Sequence, residues 1–443
     1  MLGKLRQFLL ITYYFPPAPM GYAQRVAKLC KYLPKETHWV PTVVCGALPE
    51  YILPGFDKVL LQEIPQCVQV IHVGSFLASR LADWLRKWRI YAPVAAWRRL
   101  TMVPDPYGDW ARRAVAIAEE RFPGGKGLEC ILASGPPNSV YLVGLKLAER
   151  WRLPLIIDMR DPWERSSLGR PPLTHWHRQK IKAMEEAVYA RASVIIANTE
   201  GNAADLRRIY PQWADKVIVV PNGFDPDDLN PEYGPQLRKP GEPPDTVHFL
   251  YLGGIRGVVR GRLFEGDFLQ AVSDYLSRYP NERSRLRIHF VGGTAAEVSP
   301  IASSFGLEDI CRAYGVVPSN AVGRPLAEAD VYVLLLPPNP GTDRGWVPSK
   351  LYYYLAGGHP IYAVIHEGTA YDLLQGARVP VEFASPGNRH DALDALIRVI
   401  QYVRKKGIFA QGIPAYAMHF DRREIARQLA IVLDRVCRQG AAR

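Results

Sequence analysis

Apolar, β-branched runs recur along this chain with room for one helix between most of them, and no other feature narrows the possible folds as much. In the first half they are FLLITYYF, VPTVVCG, VQVIHVG, CILASG, PLIIDMR, SVIIANT and KVIVVPN, the last ending at Asn222. Helical candidates lie between them, among them GYAQRVAKLCKYL, GDWARRAVAIAEERF, SVYLVGLKLAERW and THWHRQKIKAMEEAVYARA. Strands that read as continuous apolar runs and alternate with helices predict a parallel sheet covered on both faces. A Rossmann-like α/β domain is therefore expected over residues 1–224.

The polar, proline-rich stretch that follows has no apolar periodicity, so residues 225–246 read as a linker. The alternation then restarts with TVHFLYLGG, RLRIHFVGG, ADVYVLLLPP and HPIYAVIH, which predicts a second α/β domain over residues 247–413. Residues 414–443 contain RREIARQLAIVLDRVCRQ, an amphipathic helix with no strand after it, free to close the second domain or to cross back to the first. A length of 443 residues agrees with two domains, being too great for one ordinary core.

Charge and cysteine usage narrow the function classes. The net charge of +12 invites a polyanion, whether nucleic acid, anionic lipid or a phosphorylated substrate. No recognised nucleic-acid-binding module accompanies it, so no nucleic-acid partner is expected. The densest basic stretch, residues 80–99, interleaves Arg80, Arg86, Lys87, Arg89, Arg98 and Arg99 with Trp84, Trp88, Tyr91 and Trp97. That pattern fits a helix lying against an anionic membrane surface, and equally a helix that packs its tryptophans inward. The six cysteines are scattered without ligand spacing, and read as buried thiols of a reducing compartment with no metal site. The N-terminal apolar stretch is short and runs into Pro16-Pro17, so it reads as a buried strand instead of a signal peptide. The expected location is cytoplasmic, with peripheral attachment to the inner face of the membrane as a further expectation.

In open parallel sheets ligands bind beyond the carboxyl ends of the strands, where loops lead into helix N-termini. After the first strand, Gly21 opens a helix, with Arg25 one turn further in. A helix N-terminus with a nearby guanidinium suits an anion or a polyhydroxyl ligand, although a glycine there also fits a plain turn. The fifth strand ends in a polar cluster, Asp158, Arg160, Asp161, Trp163 and Glu164, suited to orienting an acceptor hydroxyl or taking its proton, or to tying two loops. In the second half, Gly253, Gly254 and Gly257 precede Arg260 and Arg262, and Lys350 opens a later helix. Glycines admit a diphosphate close to the backbone, and cations there stabilise it as it departs.

With these motifs in order, the chain resembles the retaining glycosyltransferases of family four, and within them the bacterial branch tied to surface polysaccharide and glycolipid assembly. The motifs are YYFPPAPMGYAQRVAKLCKYLP, VPDPYGDWARRA, ASGPPNSVYLVGLKLAERWRLPLIIDMRDPW, VIIANTEGNAADLRRIYP and VIVVPNGFDPDDL, then FLYLGG, IHFVGG and VPSKLYYYLAGGHPI. The resemblance implies the GT-B fold, two facing Rossmann-like domains with an interdomain cleft. It implies transfer of a sugar from a nucleoside-diphosphate-sugar to a glycan or lipid-linked acceptor, with no cofactor and no metal.

Roles follow by position. Gly21, Gly253 and Gly254 would lie at the donor, Arg260 and Lys350 would bind its diphosphate, and the backbone of Val316 and Val317 would hold the nucleobase. Arg25, Arg160 and Asp161 would face the acceptor, with Asp161, Arg260 and Lys350 as the catalytic set. The chain departs from the family where an acid is usual. Tyr353 stands at the ribose-gripping position, an earlier acid would fall at Gly345, and Met20 replaces a common glycine. A tyrosine makes one hydrogen bond where a carboxylate makes two. Two other readings share the fold: a non-catalytic partner in a polysaccharide-assembly complex, and a sugar-nucleotide epimerase.

Overall fold

The computed structural model describes residues 5–18, 20–47, 57–74, 103–160, 163, 174–259, 262–336, 343–377, 379–407 and 412–441. Asp161, Glu164, Arg260 and the basic stretch 80–99 lie outside the described residues. The chain divides into two units, residues 1–222 with 422–443, and residues 223–421.

In the first unit the elements run β1 (Arg6–Ile11), α1 (Met20–Glu36), β2 (Trp39–Gly46), α2 (Lys58–Gln62), β3 (Gln69–Val73), α3 (Gly108–Arg121), β4 (Ile131–Gly135), α4 (Ser139–Trp151), β5 (Leu155–Met159), α5 (His175–Arg191), β6 (Val194–Ala197), α6 (Glu200–Ile209) and β7 (Val217–Val219). The seven strands form one parallel sheet in the order β3-β2-β1-β4-β5-β6-β7.

Alternation along each strand divides the core between the two faces of the sheet. Leu9 and Ile11 of β1 point to one face with Trp110 of α3, Leu147 of α4 and Val188 of α5. Phe8 and Leu10 point to the other, with Val26, Leu29 and Leu33 of α1. The final helix of the chain, Arg422–Ala441, joins that second face through Ile425, Leu429, Leu433 and Val436.

The second unit repeats the plan with β8 (Val247–Leu252), β9 (Val258–Val259), β10 (Arg262–Leu263), α7 (Gly266–Arg278), β11 (Leu286–Val291), α8 (Ala295–Ser304), β12 (Cys311–Ala313), α9 (Gly323–Glu328), β13 (Val331–Leu335), α10 (Ser349–Gly357), β14 (Ile361–Val364), α11 (Thr369–Gly376), β15 (Val381–Ala384) and α12 (Arg389–Lys406). Six strands pair in parallel in the order β12-β11-β8-β13-β14-β15, while β9 and β10 form a small antiparallel hairpin. Phe249 and Tyr251 of β8 pack under α7 and α12, and Leu250 and Leu252 pack under α10.

Strand order reverses where β8 is flanked by β11 and β13, the place at which doubly wound sheets form a ligand crevice. The proline-rich stretch belongs to this unit. Leu237 is buried in its core, Glu328 accepts from the backbone of Leu237 and Arg238 at 2.6 and 3.2 Å, and Arg238 pairs with Asp330 at 2.5 Å. Proline removes backbone donors but leaves neighbouring side chains free to pack.

Among the described residues no helix is long and apolar enough to cross a membrane. The described cysteines are all free thiols, with Cys30, Cys45 and Cys130 deeply buried. Cys67 departs from the expectation of burial, because it lies in the exposed turn before β3.

Candidate functional site

In the second unit, two glycine loops meet at the carboxyl ends of β8 and β11. The Gly253 N–H donates to the Val291 carbonyl at 2.7 Å, Gly292 donates to Gly315 at 2.8 Å, and Gly315 donates to Gly293 at 2.8 Å. Gly253 and Gly292 have φ of +112° and +115°, a region that side chains disfavour. A Cβ on Gly292 would stand 2.6 Å from the carbonyl carbon of Gly253, so the two loops touch backbone to backbone.

Helix α10 brings Lys350 to this junction. The Tyr354 hydroxyl, one turn on, accepts from the Leu252 N–H at 2.9 Å and lies 3.2 Å from the Val333 carbonyl, which fixes α10 against β8 and β13. Lys350 Nζ then sits 3.6 Å from the centroid of the Tyr251 ring and 3.5 Å from where a Gly253 Cβ would be. An ammonium on a ring face is held by the ring quadrupole while its N–H donors stay available. Burial, then the charge of Arg256, lowers Lys350 to about 7, against the opposing pull of Glu265.

Two residues of this cluster were not singled out from the sequence. Arg256 lies between the rings of Phe264 and Trp346, its guanidinium carbon 5.4 and 5.0 Å from their centroids. Glu265, directly before α7, is fully buried and accepts from the Arg256 N–H at 2.8 Å. Arg256 stands inside the glycine-rich segment GGIRG, and that proximity was the available signal. Nothing local marks Glu265.

Tyr353 points elsewhere. Its ring is buried, and its hydroxyl donates to Asp228 Oδ2 at 2.7 Å, so the side chain braces the start of the second unit and is not presented to a ligand. Replacing Tyr353 with Phe is expected to lower stability by about 1–3 kcal/mol in urea unfolding, because a buried carboxylate loses a donor. Nucleotide affinity should not change. Unchanged stability with weakened nucleotide binding would mean that the hydroxyl reaches the ligand.

Val316 is 58% exposed and Val317 is half-buried, just beyond Gly315. Tyr314, before them, rests on a pair of fully buried histidines: His289 Nδ1 is 2.9 Å from the Tyr314 hydroxyl, and His289 Nε2 is 3.0 Å from His248 Nδ1. Burial, then the charge of Arg238, lowers His248 to about 4, and burial, then His248, lowers His289 to about 2. Both stay neutral in the fold at a pH where the unfolded chain takes up protons. Stability is therefore expected to fall as pH drops from about 6.5 towards 4, by up to ~1.4 kcal/mol per pH unit for each histidine. Urea midpoints at pH 7, 6 and 5 check this, and a flat profile would contradict it.

In the first unit, Gly21 is exposed in the first turn of α1, and a Cβ there would meet nothing within 4 Å. Arg25 is not presented to a ligand. Its buried fork binds Asp158 at 3.0 and 2.8 Å and reaches the carbonyls of Pro221 and Val220 at 2.6 and 3.0 Å. The Ser134 hydroxyl donates to the same carboxylate at 2.7 Å. Burial works to raise Asp158, but Arg25, Ser134 and Arg160 outweigh it and hold the carboxyl below its usual range. Arg160, at the end of β5, donates to the carbonyl of Gly135, and its own carbonyl accepts from Asn198 at 2.7 Å.

The family model described as Glycosyltransferase Family 4 matches residues 20–228. Over that stretch the chain is similar to the family 4 glycosyltransferases. A D-inositol 3-phosphate glycosyltransferase of Actinosynnema mirum is 30% identical over 178 residues, covering 38% of this chain and 42% of that protein. The chain thus spans less than half the length of that relative. Solved structures extend the likeness beyond residues 20–228. Anabaena HepE in complex with UDP-glucose has a TM-score of 0.59 and 16% identity, covering 97% of this chain and 99% of the other. Sucrose-phosphate synthase from Thermosynechococcus elongatus has a TM-score of 0.62 and 12% identity, with coverage of 97% and 99%. At such identities the likeness is one of fold, and the fold is that of the GT-B glycosyltransferases.

Proposed function

We propose that this chain is a retaining glycosyltransferase that binds a nucleoside-diphosphate-sugar on its second unit and transfers the sugar to a hydroxyl of a glycan or lipid-linked acceptor. The observation that carries the reading is Lys350, whose ammonium lies on the Tyr251 ring beside the Gly253 backbone, with Arg256 adjacent. A diphosphate laid along the two glycine loops would meet both cations and the N-terminus of α10, and these stabilise the negative charge that grows as the sugar leaves. No metal is needed for that step in this proposal, because the side chains supply the positive charge.

Retention follows if the leaving phosphate oxygen takes the proton of the incoming hydroxyl on the same face of the sugar. The protein then acts by positioning and electrostatics. Arg160 and Asp161 of the first unit are proposed for the acceptor side. The solved complex of Anabaena HepE with UDP-glucose supports a nucleotide-sugar as donor class. A place in surface-polysaccharide or glycolipid assembly is part of the same proposal.

The test is release of nucleoside diphosphate from UDP-glucose, UDP-N-acetylglucosamine and GDP-mannose, with and without a bacterial lipid extract as acceptor source. Release that the extract stimulates supports the transferase. Thermal stabilisation by a donor without release under any condition would favour the non-catalytic partner, and no response to any donor would overturn the reading.

A further inference from the structure

Two cysteines meet inside the first unit. Cys130 directly precedes β4, the strand between β1 and β5, and is fully buried, while Cys437 lies on the helix Arg422–Ala441 and is 9% exposed. Both belong to the apolar layer in which that helix packs on the sheet. The Cys437 thiol donates to the Glu129 carbonyl at 3.8 Å, and that carbonyl is part of the peptide bond leading into Cys130. The two thiols are also hydrogen-bonded to each other.

The segments that carry these thiols are clamped together. Arg6 on β1 donates through Nε to Glu129 Oε1 at 2.9 Å and through Nη1 to Asp434 Oδ1 at 2.6 Å, so one guanidinium joins the residue before Cys130 to the residue one turn before Cys437. The Trp39 indole donates to the same Asp434 oxygen at 3.1 Å, and Arg427 donates to Glu36 at 2.6 Å nearer the start of the helix. A disulfide forms without backbone movement only where two cysteine side chains already face each other, and this arrangement meets that condition. From it we propose that Cys130 and Cys437 are an oxidative modification site, at which a hydroperoxide joins them as a disulfide that ties the helix Arg422–Ala441 to the start of β4.

The two thiols have different parts in that step. The hydrogen bond from Cys130 lowers Cys437 below the ordinary thiol value, burial opposes it, and the charge of Arg6 adds to the lowering. The hydrogen bond to Cys437, then burial, push Cys130 well above that value. Thiolate is the reactive form, so Cys437 attacks first. Its sulfur takes one oxygen of hydrogen peroxide and becomes a sulfenic acid, and the other oxygen leaves as water. The Cys130 sulfur then displaces the sulfenic hydroxyl, which departs with the Cys130 proton as a second water. Two thiols are thereby oxidised to one disulfide while one peroxide is reduced to two waters.

The experiment is limited oxidation of the full chain by hydrogen peroxide, followed by alkylation of the remaining thiols in denaturant and peptide mass mapping. It is run on a Cys67→Ser background, because Cys67 is exposed and would consume peroxide on its own. The peptides holding Cys130 and Cys437 are expected as one cross-linked species that dithiothreitol separates, and the species should be absent when Cys437→Ala is added. The oxidised chain is expected to unfold about 5–10 °C higher than the reduced chain and to return on reduction, because the cross-link joins residues far apart in sequence at a place where they already touch.

Recovery of Cys130 and Cys437 as separate alkylated peptides, at a peroxide dose that oxidises Cys67 of the wild-type chain, would overturn the inference. So would Cys437 recovered as a sulfinic acid beside an unreacted Cys130, since the second thiol would then fail to reach the first. A cross-link that forms only in the urea-unfolded chain, or one that lowers the unfolding temperature, would show that the native fold does not hold the two sulfurs in bonding position. The mapping requires no substitution in the core, so it decides the matter even where Cys437→Ala folds poorly.

Discussion

Lys350→Ala is expected to lower transfer by about a hundred- to a thousandfold, the loss typical of removing one preorganised charge from a departing oxyanion. Donor affinity should fall with it, because the ammonium on the Tyr251 ring stabilises the ground-state diphosphate as well. The fold should be untouched: Lys350 is at the start of α10, and the anchoring of that helix comes from Tyr354 and from the buried Leu351, Tyr352 and Leu355. Single-turnover rates and donor titration, both on the alanine variant, separate the two losses. A variant that keeps wild-type turnover would remove Lys350 from the site.

The second large effect belongs to stability. Arg25→Met leaves the Asp158 carboxylate buried without its bidentate partner and frees the carbonyls of Val220 and Pro221 from their donor. Breaking a buried ion pair from one side lowers stability by about 3–5 kcal/mol, through the uncompensated charge that remains. Urea unfolding of the variant measures it. A loss under about 1 kcal/mol would show that water or a rearranged Arg160 replaces the guanidinium. Because Asp158 is held below its ordinary range, the stability the pair contributes is present above the usual aspartate pKa and is lost as pH falls through the depressed folded value.

What could be read from the sequence follows the range of the interactions involved. The parallel strands were legible because burial on both faces makes each one a continuous apolar run, as in the wholly buried β2 and β5. The glycine loops and Lys350 were legible because strand ends and helix starts are local signals. Arg25 and Tyr353 were not, since the partners that hold them, Asp158 and Asp228, lie 133 and 125 residues away in sequence. Each looked like an available polar group, and each is an internal brace.

Arg256 and Glu265 were missed for a related reason. The arginine is positioned by Trp346 from a distant loop, and the glutamate is distinguished only by its burial. The proline-rich stretch from 225 to 246 carries no periodicity, yet Leu237 packs into the core of the second unit. Periodicity reports regular structure and is silent on irregular segments that pack well.

The most direct test of the central claim is a crystal structure of this chain with the bound donor. The expected result is a diphosphate within hydrogen-bonding distance of Lys350 Nζ, lying against the backbone of Gly253 and Gly254, with the nucleobase near Val316 and Val317. A diphosphate bound away from Lys350, with that ammonium still resting on Tyr251, would contradict the donor site proposed for the second unit.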